Sequence, residues 1–428
     1  MANNLASNTM TKVLNGLAKG FEASQVLSKT VNTSLVSGEH DATTGDTIYL
    51  KRFAEANAVE TAGGDISAQP NTDIVAGRAA AVVQNYITTS ATWSNKEEML
   101  QLADLEEYLK PFAQRLVTQF ELNLFTFMQK NSGLLIGTPG APVTKWSDIA
   151  SANSLMDAMG IPVLTDAYYA MSPYNRQRLA QVQSGLAGGS NSNVDEAWKK
   201  AILTNDFGGI KALTSNAMKN YQAGASVLRT GTVSATPTAT YASVKDTMRQ
   251  TIVLTGLTAS TVDAVRAGDL IRITQANRTR VNPHTKQIIF DAAGLPIQYT
   301  FVVETGGNTD GSGVVSIVVS AAAINESGGA YNNINTAITA GDTFALLGTA
   351  NTVYQPNLFY HKNAFAVTTI RPPELKGGVE TAYISKGGFT IRATKYANGD
   401  ANTQKMRFDL VPVFGVMNPM WAGNAFGE

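Results

Sequence analysis

The chain has 428 residues, no cysteine, and 33 Lys+Arg against 33 Asp+Glu, so its formal charge is zero. The missing cysteines exclude disulfide scaffolds, zinc ribbons and cysteine nucleophiles, and the balanced charge argues against broad nucleic-acid binding, which needs surplus Lys and Arg. Charged residues make up only 15% of the chain, against about 25% in an ordinary soluble domain, so we expect a folded protein whose surface is largely covered by other subunits.

The N-terminus has no features of a targeting segment. Residues 1–20 lack a charged n-region followed by an unbroken apolar stretch. The longest mainly apolar run, Val314–Ile324, is too short to span a bilayer. We therefore expect no membrane segment and a soluble protein made in a cytoplasm.

The first elements suggest an arm followed by a hairpin. Apolar residues at helical spacing predict a short helix in residues 9–27. Gly45 and Asp46 begin a turn into a strand, and Ala80–Trp93 is a second β-rich stretch. The polar stretch between these strands is too long for a tight turn, so we predict a projecting hairpin.

A long helical region follows the hairpin. Ser94 and Glu97 form a capping-box pattern that predicts a helix over Asn95–Lys110. Pro111 either begins a second helix or bends a single long one. Apolar residues then recur at three- and four-residue steps, which indicates the central helix of the core: Phe112, Leu116, Phe120, Leu124, Phe127 and Met128.

Mixed helices and strands flank a β-rich segment. Helices are predicted over Trp146–Met159 and Pro173–Val182, with a strand at Tyr168–Met171. Near the C-terminus, Phe389–Tyr396 and Lys405–Phe414 flank the turn signal Asn398-Gly399.

Between these parts the composition changes. Residues 230–352 contain 21 threonines in 123 positions, against 19 in the preceding 229, and helical periodicity largely disappears. Short β-rich runs separated by Gly, Asn and Asp predict an antiparallel barrel or sandwich inserted into an α+β domain. The predicted strands are Thr251–Thr255, Leu270–Thr274, Gln287–Phe290, Ile297–Val303, Val314–Val319 and Thr343–Leu347.

None of the enzymatic motifs that we tested is present. His40, His284 and His361 are far apart, and there is no GxSxG elbow or Walker A loop. The acidic pairs at 97–98 and 106–107 fit helix surfaces better than a catalytic dyad. We therefore predict no catalytic, cofactor or metal site, and the remaining enzymatic alternative is a site assembled at long range around His361 or paired carboxylates.

The repeated Gly-Asp step has a similar structural explanation. It occurs at Gly45-Asp46, Gly268-Asp269 and Gly341-Asp342, each time before β-forming residues. The surrounding residues lack the ligand spacing of a calcium loop, so we interpret each step as a turn leading into a strand. Gly311-Ser312-Gly313 is likewise interpreted as a turn.

The order of these segments resembles that of the major capsid (coat) proteins of tailed double-stranded DNA bacteriophages. Within the insert, the Arg-x-Gly-Asp-x-Ile step formed by Arg266, Gly268, Asp269 and Ile271 is similar to that of short-tailed enteric phage coat proteins, which carry an inserted β-barrel. The other matching segments are Gly45–Ile48, Trp93–Leu100, Met159–Pro162, Met171–Pro173, Phe207–Asn216, Phe359–Phe365, Arg407–Asp409 and Phe414–Val416.

The resemblance implies an α+β capsid fold of the Hong Kong ninety-seven type with a long central helix, an extended hairpin, peripheral and axial domains, and an inserted all-β barrel. The expected division is an arm at 1–44, a hairpin at 45–93, a peripheral domain at 94–145 and 372–406, an axial domain at 146–228, 353–371 and 407–428, and a barrel at 229–352.

The resemblance to coat proteins also implies a function and partners. The expected function is a structural, self-assembling icosahedral shell around phage double-stranded DNA, made through a scaffold-assisted procapsid that matures and expands. Expected partners are further copies in hexamers and pentamers, a scaffolding protein, a portal protein and a decoration protein. DNA is enclosed without sequence-specific binding, and the subunit is assembled in the host cytoplasm into the virion. The alternative from another class is a carbohydrate- or surface-binding β-rich protein.

The hairpin supplies candidates for inter-subunit contacts. An extended polar element can pack over a neighbouring subunit, and its charged residues are then available for ion pairs. The candidates are Lys51, Arg52, Glu55, Glu60, Asp65 and Arg78.

Overall fold

A computed structural model describes residues 25–34, 45–52, 54–56, 58, 60–67, 74–94, 105–161, 166–184, 209–375, 380–386 and 388–428. The chain divides into two compact units. Unit one comprises Met1–Ile48, Ala81–Phe125 and Ala366–Gly415, and unit two comprises Tyr49–Ala80, Thr126–Phe365 and Val416–Glu428. Residues 9–24 of the predicted N-terminal helix and the acidic pair at 97–98 lie outside the described residues, and residues 25–27 are not helical.

Strands outnumber helices in the described residues. The helices are α1 Leu105–Lys130, α2 Trp146–Ala158, α3 Pro173–Ser184 and α4 Tyr241–Val244. The strands are β1 Thr47–Lys51, β2 Arg78–Val83, β3 Ile87–Ser94, β4 Leu134–Ile136, β5 Ala167–Met171, β6 Lys211–Thr214, β7 Tyr221–Gln222, β8 Thr230–Val233, β9 Arg249–Thr255, β10 Leu270–Ile273, β11 Thr300–Thr305, β12 Val315–Ser320, β13 Thr343–Leu346, β14 Val353–Tyr354, β15 Asn357–His361, β16 Phe365–Ile370, β17 Glu380–Lys386, β18 Phe389–Asn398, β19 Thr403–Val416 and β20 Ala422–Ala425.

Strand β19 organises the sheet of unit one. It pairs with β18 on one side and with β3 and then β2 on the other. Met406, Phe408 and Leu410 lie two residues apart on one face of β19 and fill the core, while Lys405 and Arg407 between them are half-buried. The hairpin predicted at Asn398 is confirmed, because the Asn398 Oδ1 accepts the N–H groups of Asp400 and Ala401. The stretch predicted as one β-rich run at Ala80–Trp93 is two strands, since pairing stops between β2 and β3.

Helix α1 decides between the two alternatives for Pro111, a second helix or a single long one. The proline lies inside a single helix, and Leu116, Phe120, Leu124 and Met128 of the predicted stripe are fully buried. Phe120 packs edge-on against Phe389, with ring centroids 5.2 Å apart. None of the described helices is long and apolar enough to cross a membrane.

Two buried carboxylates join distant parts of unit one. Glu121 on α1 accepts the N–H groups of Leu27 and Ser28 at 2.8 and 3.0 Å, and the Ser28 hydroxyl at 2.5 Å. Burial raises the pKa of Glu121, while these hydrogen bonds oppose the rise. The carboxylate thus fixes the segment 25–34 to the helix.

Asp409 is the second buried carboxylate. Its Oδ2 accepts Nε and Nη2 of Arg392 at 3.2 and 2.6 Å, and its Oδ1 accepts Arg407 Nε at 2.6 Å and Thr88 Oγ1 at 2.7 Å. Burial favours the neutral acid, but the hydrogen bonds from Thr88 and the two arginines outweigh it and lower the pKa of Asp409.

Unit two contains a five-stranded sheet and a closed barrel. The sheet has the order β4, β20, β15, β5 and β6, and its β4–β20 and β5–β6 pairs are parallel. The predicted helices α2 and α3 and the strand β5 are confirmed within one or two residues. Helix α2 packs its buried Ile149, Leu155 and Met156 into the core of this sheet.

The inserted barrel closes in the order β8, β9, β12, β11, β10 and β13. Along β9, Gln250, Ile252 and Leu254 are buried while Thr251 is exposed. This alternation explains the threonine-rich composition, because β-branched polar residues suit the outer face of a strand. The mixed α+β fold with an inserted β-barrel is confirmed.

The structure corrects parts of the predicted strand assignment. Gln287–Phe290 is wrong as a strand, since it makes only isolated bridges at Ile288 and Phe290. The barrel strand β8 was not predicted, because Thr-Gly-Thr-Val is short and contains a glycine. Residues 407–415 pair with β18, β3 and β2 in the sheet of unit one, and Leu134–Ile136 pairs with β20 in the five-stranded sheet. The division into peripheral and axial domains stays a prediction.

The two Gly-Asp steps of the insert form the same turn. Gly268 and Gly341 have φ of +96° and +91°, a region that favours glycine. The following aspartates, Asp269 and Asp342, each use Oδ2 to accept the N–H three residues earlier, at 2.9 and 2.8 Å. The interpretation as turns leading into strands is therefore confirmed.

Buried side chains of the barrel bind the turn that follows α1. Arg280 Nη2 donates to the Gly133 carbonyl at 2.5 Å and to the Thr300 carbonyl at 2.9 Å, and the guanidinium lies 4.4 Å from the Tyr299 ring centre. Ser320 Oγ donates to the Ser132 carbonyl at 3.0 Å. No carboxylate is among the hydrogen-bond partners of Arg280 in the described residues, and burial lowers the pKa of Arg280.

Asp409→Asn should lower the free energy of unfolding at neutral pH by about 3 kcal/mol, because Arg392 remains buried without its counter-ion. Since the folded-state pKa of Asp409 is below its unfolded value, its contribution is present above the ordinary Asp pKa and is lost as pH falls through the folded pKa. Urea unfolding followed by tryptophan fluorescence should show the wild-type and variant midpoints converging below about pH 4. Asp400→Asn, in the exposed turn of the same hairpin, is the control. A constant difference at all pH values would contradict the assignment.

Arg280→Met should destabilise the protein by about 2 kcal/mol, because it removes a donor from two buried carbonyls. Differential scanning calorimetry measures the change. Arg272→Met, at a half-buried arginine of the same barrel, is the control. An increase in the melting temperature of Arg280→Met would mean that burial of the cation costs more than its hydrogen bonds return.

Candidate assembly interface

The two arms of the hairpin predicted at 45–93 meet at the ends of β1 and β2. The Arg52 N–H donates to the Gly77 carbonyl at 2.9 Å, so the pairing continues beyond the last residue of β1. We call residues 49–52, 54–56 and 74–80 the hairpin base. All of these residues belong to unit two.

The six residues predicted for inter-subunit contacts have different environments. Lys51 and Arg78 are exposed, Glu55 is half-buried, and Glu60 and Asp65 are exposed farther along the hairpin. Arg52 is only 5% exposed, and its guanidinium donates to the carbonyls of Met417, Arg78 and Asp246 of its own chain. The structure therefore brings Lys51, Arg52 and Arg78 together, and it does not bring Glu60 or Asp65 to them.

An open cleft of about 480 Å³ lies at the hairpin base. Its charged lining consists of Lys51, Arg78, Lys245 and Asp246, which leaves an excess of positive charge. The Arg78 guanidinium stacks over the exposed Tyr49 ring at 4.3 Å, and the Arg78 N–H donates to Asp246 Oδ1 at 3.1 Å. This backbone hydrogen bond is the main cause that lowers the pKa of Asp246. Exposed tyrosine and arginine side chains are typical of protein interfaces.

His284 of the insert also contacts the hairpin base. Its Nδ1 lies 3.5 Å from Glu55 Oε2. Burial lowers the pKa of the neighbouring Lys286, and the charge of Glu55 opposes this effect. No local pattern in the sequence predicts this contact.

The enzymatic alternative receives no geometric support from the described residues. His361 is buried, its Nδ1 accepts the Asn363 N–H at 3.2 Å, and its ring packs edge-on against Trp421. No group of three His, Asp or Glu in the described part of the chain could hold a metal ion. His40 lies outside those residues, and the side chains of the acidic pair at 106–107 are not described.

Comparison with known proteins identifies the family. The family model described as "P22 coat protein - gene protein 5" matches residues 1–427. The "Major capsid protein" of Acyrthosiphon pisum secondary endosymbiont phage 1 is 36% identical over 429 aligned residues, with 100% of both chains covered. The chain belongs to this coat-protein family. It is therefore a structural capsid protein and part of a virion, and it is not an enzyme, as the sequence predicted.

Solved phage structures are more distantly similar to this coat protein. A structure from Mycobacterium phage Che8 has a TM-score of 0.44 at 10% identity, covering 92% of this chain and 90% of that one. The capsid structure of Cyanophage P-SCSP1u has a TM-score of 0.43 at 12% identity, covering 90% and 84%.

The sequence did not reveal the residues of the insert that contact the hairpin base. Tyr241, Asp246 and Tyr331 lie in segments that were interpreted only as parts of a β-rich insert. No local pattern marks them, because their partners are far away along the chain.

Proposed function

We propose that this coat protein forms the hexamers and pentamers of an icosahedral shell that encloses phage double-stranded DNA. The proposal rests on one observation, the family match along the full length of the chain. Closed rotational symmetry repeats each contact many times, so modest interface energies suffice for a stable shell.

The assembly route and partners belong to the same proposal. The subunit assembles on a scaffolding protein in the host cytoplasm, incorporates a portal protein, and forms a procapsid that later expands and accepts a decoration protein. A chain with equal numbers of acidic and basic residues encloses DNA without gripping it, because tight backbone binding requires a cationic excess.

We further propose that neighbouring subunits pair through complementary charges of the hairpin. The cleft at its base carries Lys51, Arg78 and Lys245, while Glu60 and Asp65 are exposed farther along. In a head-to-tail contact, the acidic part of one hairpin meets the basic cleft of the next subunit. Arg52 is not assigned to this contact, because its guanidinium is buried against its own chain.

Purified protein mixed with its scaffolding protein should form closed shells visible by electron microscopy. The expected product is round particles of uniform size, and the control is the scaffolding protein alone. A coat protein that remains monomeric under all tested ratios would overturn the proposed function.

Lys51→Glu and Glu60→Lys should each raise the protein concentration needed for assembly by about threefold, because an exposed ion pair contributes under 1 kcal/mol. The double variant should restore the wild-type value. Light scattering during assembly at low ionic strength measures the change. A 1:1 mixture of the single variants should assemble better than either alone, because pairing occurs between subunits. The pairing is rejected if the double variant assembles no better than the single ones.

A further inference from the structure

The hairpin base is held by one side of the inserted barrel. We call Tyr241, Lys245, Asp246 and Tyr331 the seat. These four residues lie on α4, on the turn after it, and on the loop between β12 and β13. The seat and the hairpin base both belong to unit two.

Tyr331 connects both arms of the hairpin. Its hydroxyl accepts the Glu55 N–H at 2.9 Å and donates to the Val75 carbonyl at 2.8 Å. Its ring stacks on Tyr241, with ring centroids 3.4 Å apart and planes 6° apart. The hydroxyl thus makes one hydrogen bond to each arm, and the stack fixes the position of the ring.

Arg52 and Asp246 add a second set of contacts. The buried Arg52 guanidinium donates to the Asp246 carbonyl at 3.5 Å and to the Met417 carbonyl. Burial lowers the pKa of Arg52 to about 10. A buried cation is costly unless its donors are satisfied, so this geometry is stable only while the hairpin base remains on the seat.

Gly77 shows how closely the two backbones approach. A Cβ atom at this position would overlap the Lys245 carbonyl oxygen and lie 2.9 Å from its carbonyl carbon. By contrast, a Cβ at Gly63, in the same hairpin, would have no atom within 4 Å. Neither glycine has a positive φ, so an alanine at either position causes no backbone strain. The substitution therefore tests only whether there is room for a Cβ atom.

We infer that the inserted barrel positions the assembly hairpin through this seat, with Tyr331 as a positioning residue. A two-stranded hairpin is marginally stable on its own. Holding its base in the free subunit reduces the conformational entropy lost when a neighbour binds. The inference rests on the proposed function, because it assumes that the hairpin makes the contacts between subunits.

Hydrogen exchange of the full-length, unassembled subunit tests the seat directly. Tyr331→Phe keeps the ring stack and removes the hydroxyl, so peptides covering residues 49–56 and 74–80 should exchange about tenfold faster. Gly77→Ala should have the same effect through steric overlap. The matched controls are Tyr354→Phe, which removes a hydroxyl bound to the Thr349 N–H away from the hairpin, and Gly63→Ala.

Assembly of the same variants tests the consequence. Tyr331→Phe and Gly77→Ala should slow shell formation with scaffolding protein several-fold, while their melting temperatures stay within the range of the controls. Faster local exchange with slower assembly supports the inference. Unchanged exchange, or faster exchange with wild-type assembly, overturns it. If wild-type protein forms no shells, the proposed function fails separately, and the exchange data alone decide whether the barrel holds the hairpin base.

Discussion

The C-terminal end of α1 is the point on which unit two depends. The last carbonyls of a helix have no partner within the helix and need donors from elsewhere. The side chains of Asn131 and Ser132 donate to the carbonyls of Phe127 and Met128. The side-chain amide of Asn424 donates to the Gln129 carbonyl. Just beyond the helix, the carbonyls of Ser132 and Gly133 receive donors from the barrel itself, Ser320 and Arg280. Buried hydrogen bonds thus join the inserted domain to the segment that follows the helix.

This attachment gives the insert a fixed position from which to hold other segments. A barrel joined to the body only by its two chain ends could move as a separate domain. The buried guanidinium of Arg280, packed on Tyr299, instead joins β11 to the turn after α1. Tyr241 and Tyr331 are part of the same insert, so the hairpin base is supported by an element that is itself held in place.

Local patterns predicted local elements, and the contacts between distant segments could not be predicted. The two β-rich runs at Phe389–Tyr396 and Lys405–Phe414 and the turn signal at Asn398 were sufficient to predict the hairpin of β18 and β19. Gln287–Phe290 was mistaken for a strand because its composition suits one, although it forms only isolated bridges. The bonds of Tyr331 to Glu55 and Val75 span 276 and 256 positions, and tyrosines are common in β-rich segments. The predicted inter-subunit roles of Lys51, Glu60, Asp65 and Arg78 remain predictions, because a single chain does not show its neighbours.

The low share of charged residues has a further consequence for assembly. Several charged side chains of the described residues are buried and join segments of their own chain, among them Arg52, Glu121, Arg280, Arg392 and Asp409. The surface is therefore poorer in charge than the composition suggests. On such a surface, the cleft lined by Lys51, Arg78, Lys245 and Asp246 carries a local excess of positive charge. Electrostatic complementarity fixes the register of a contact more than its strength. We therefore expect the cleft to select how neighbouring hairpins align, while apolar and backbone contacts supply most of the binding free energy.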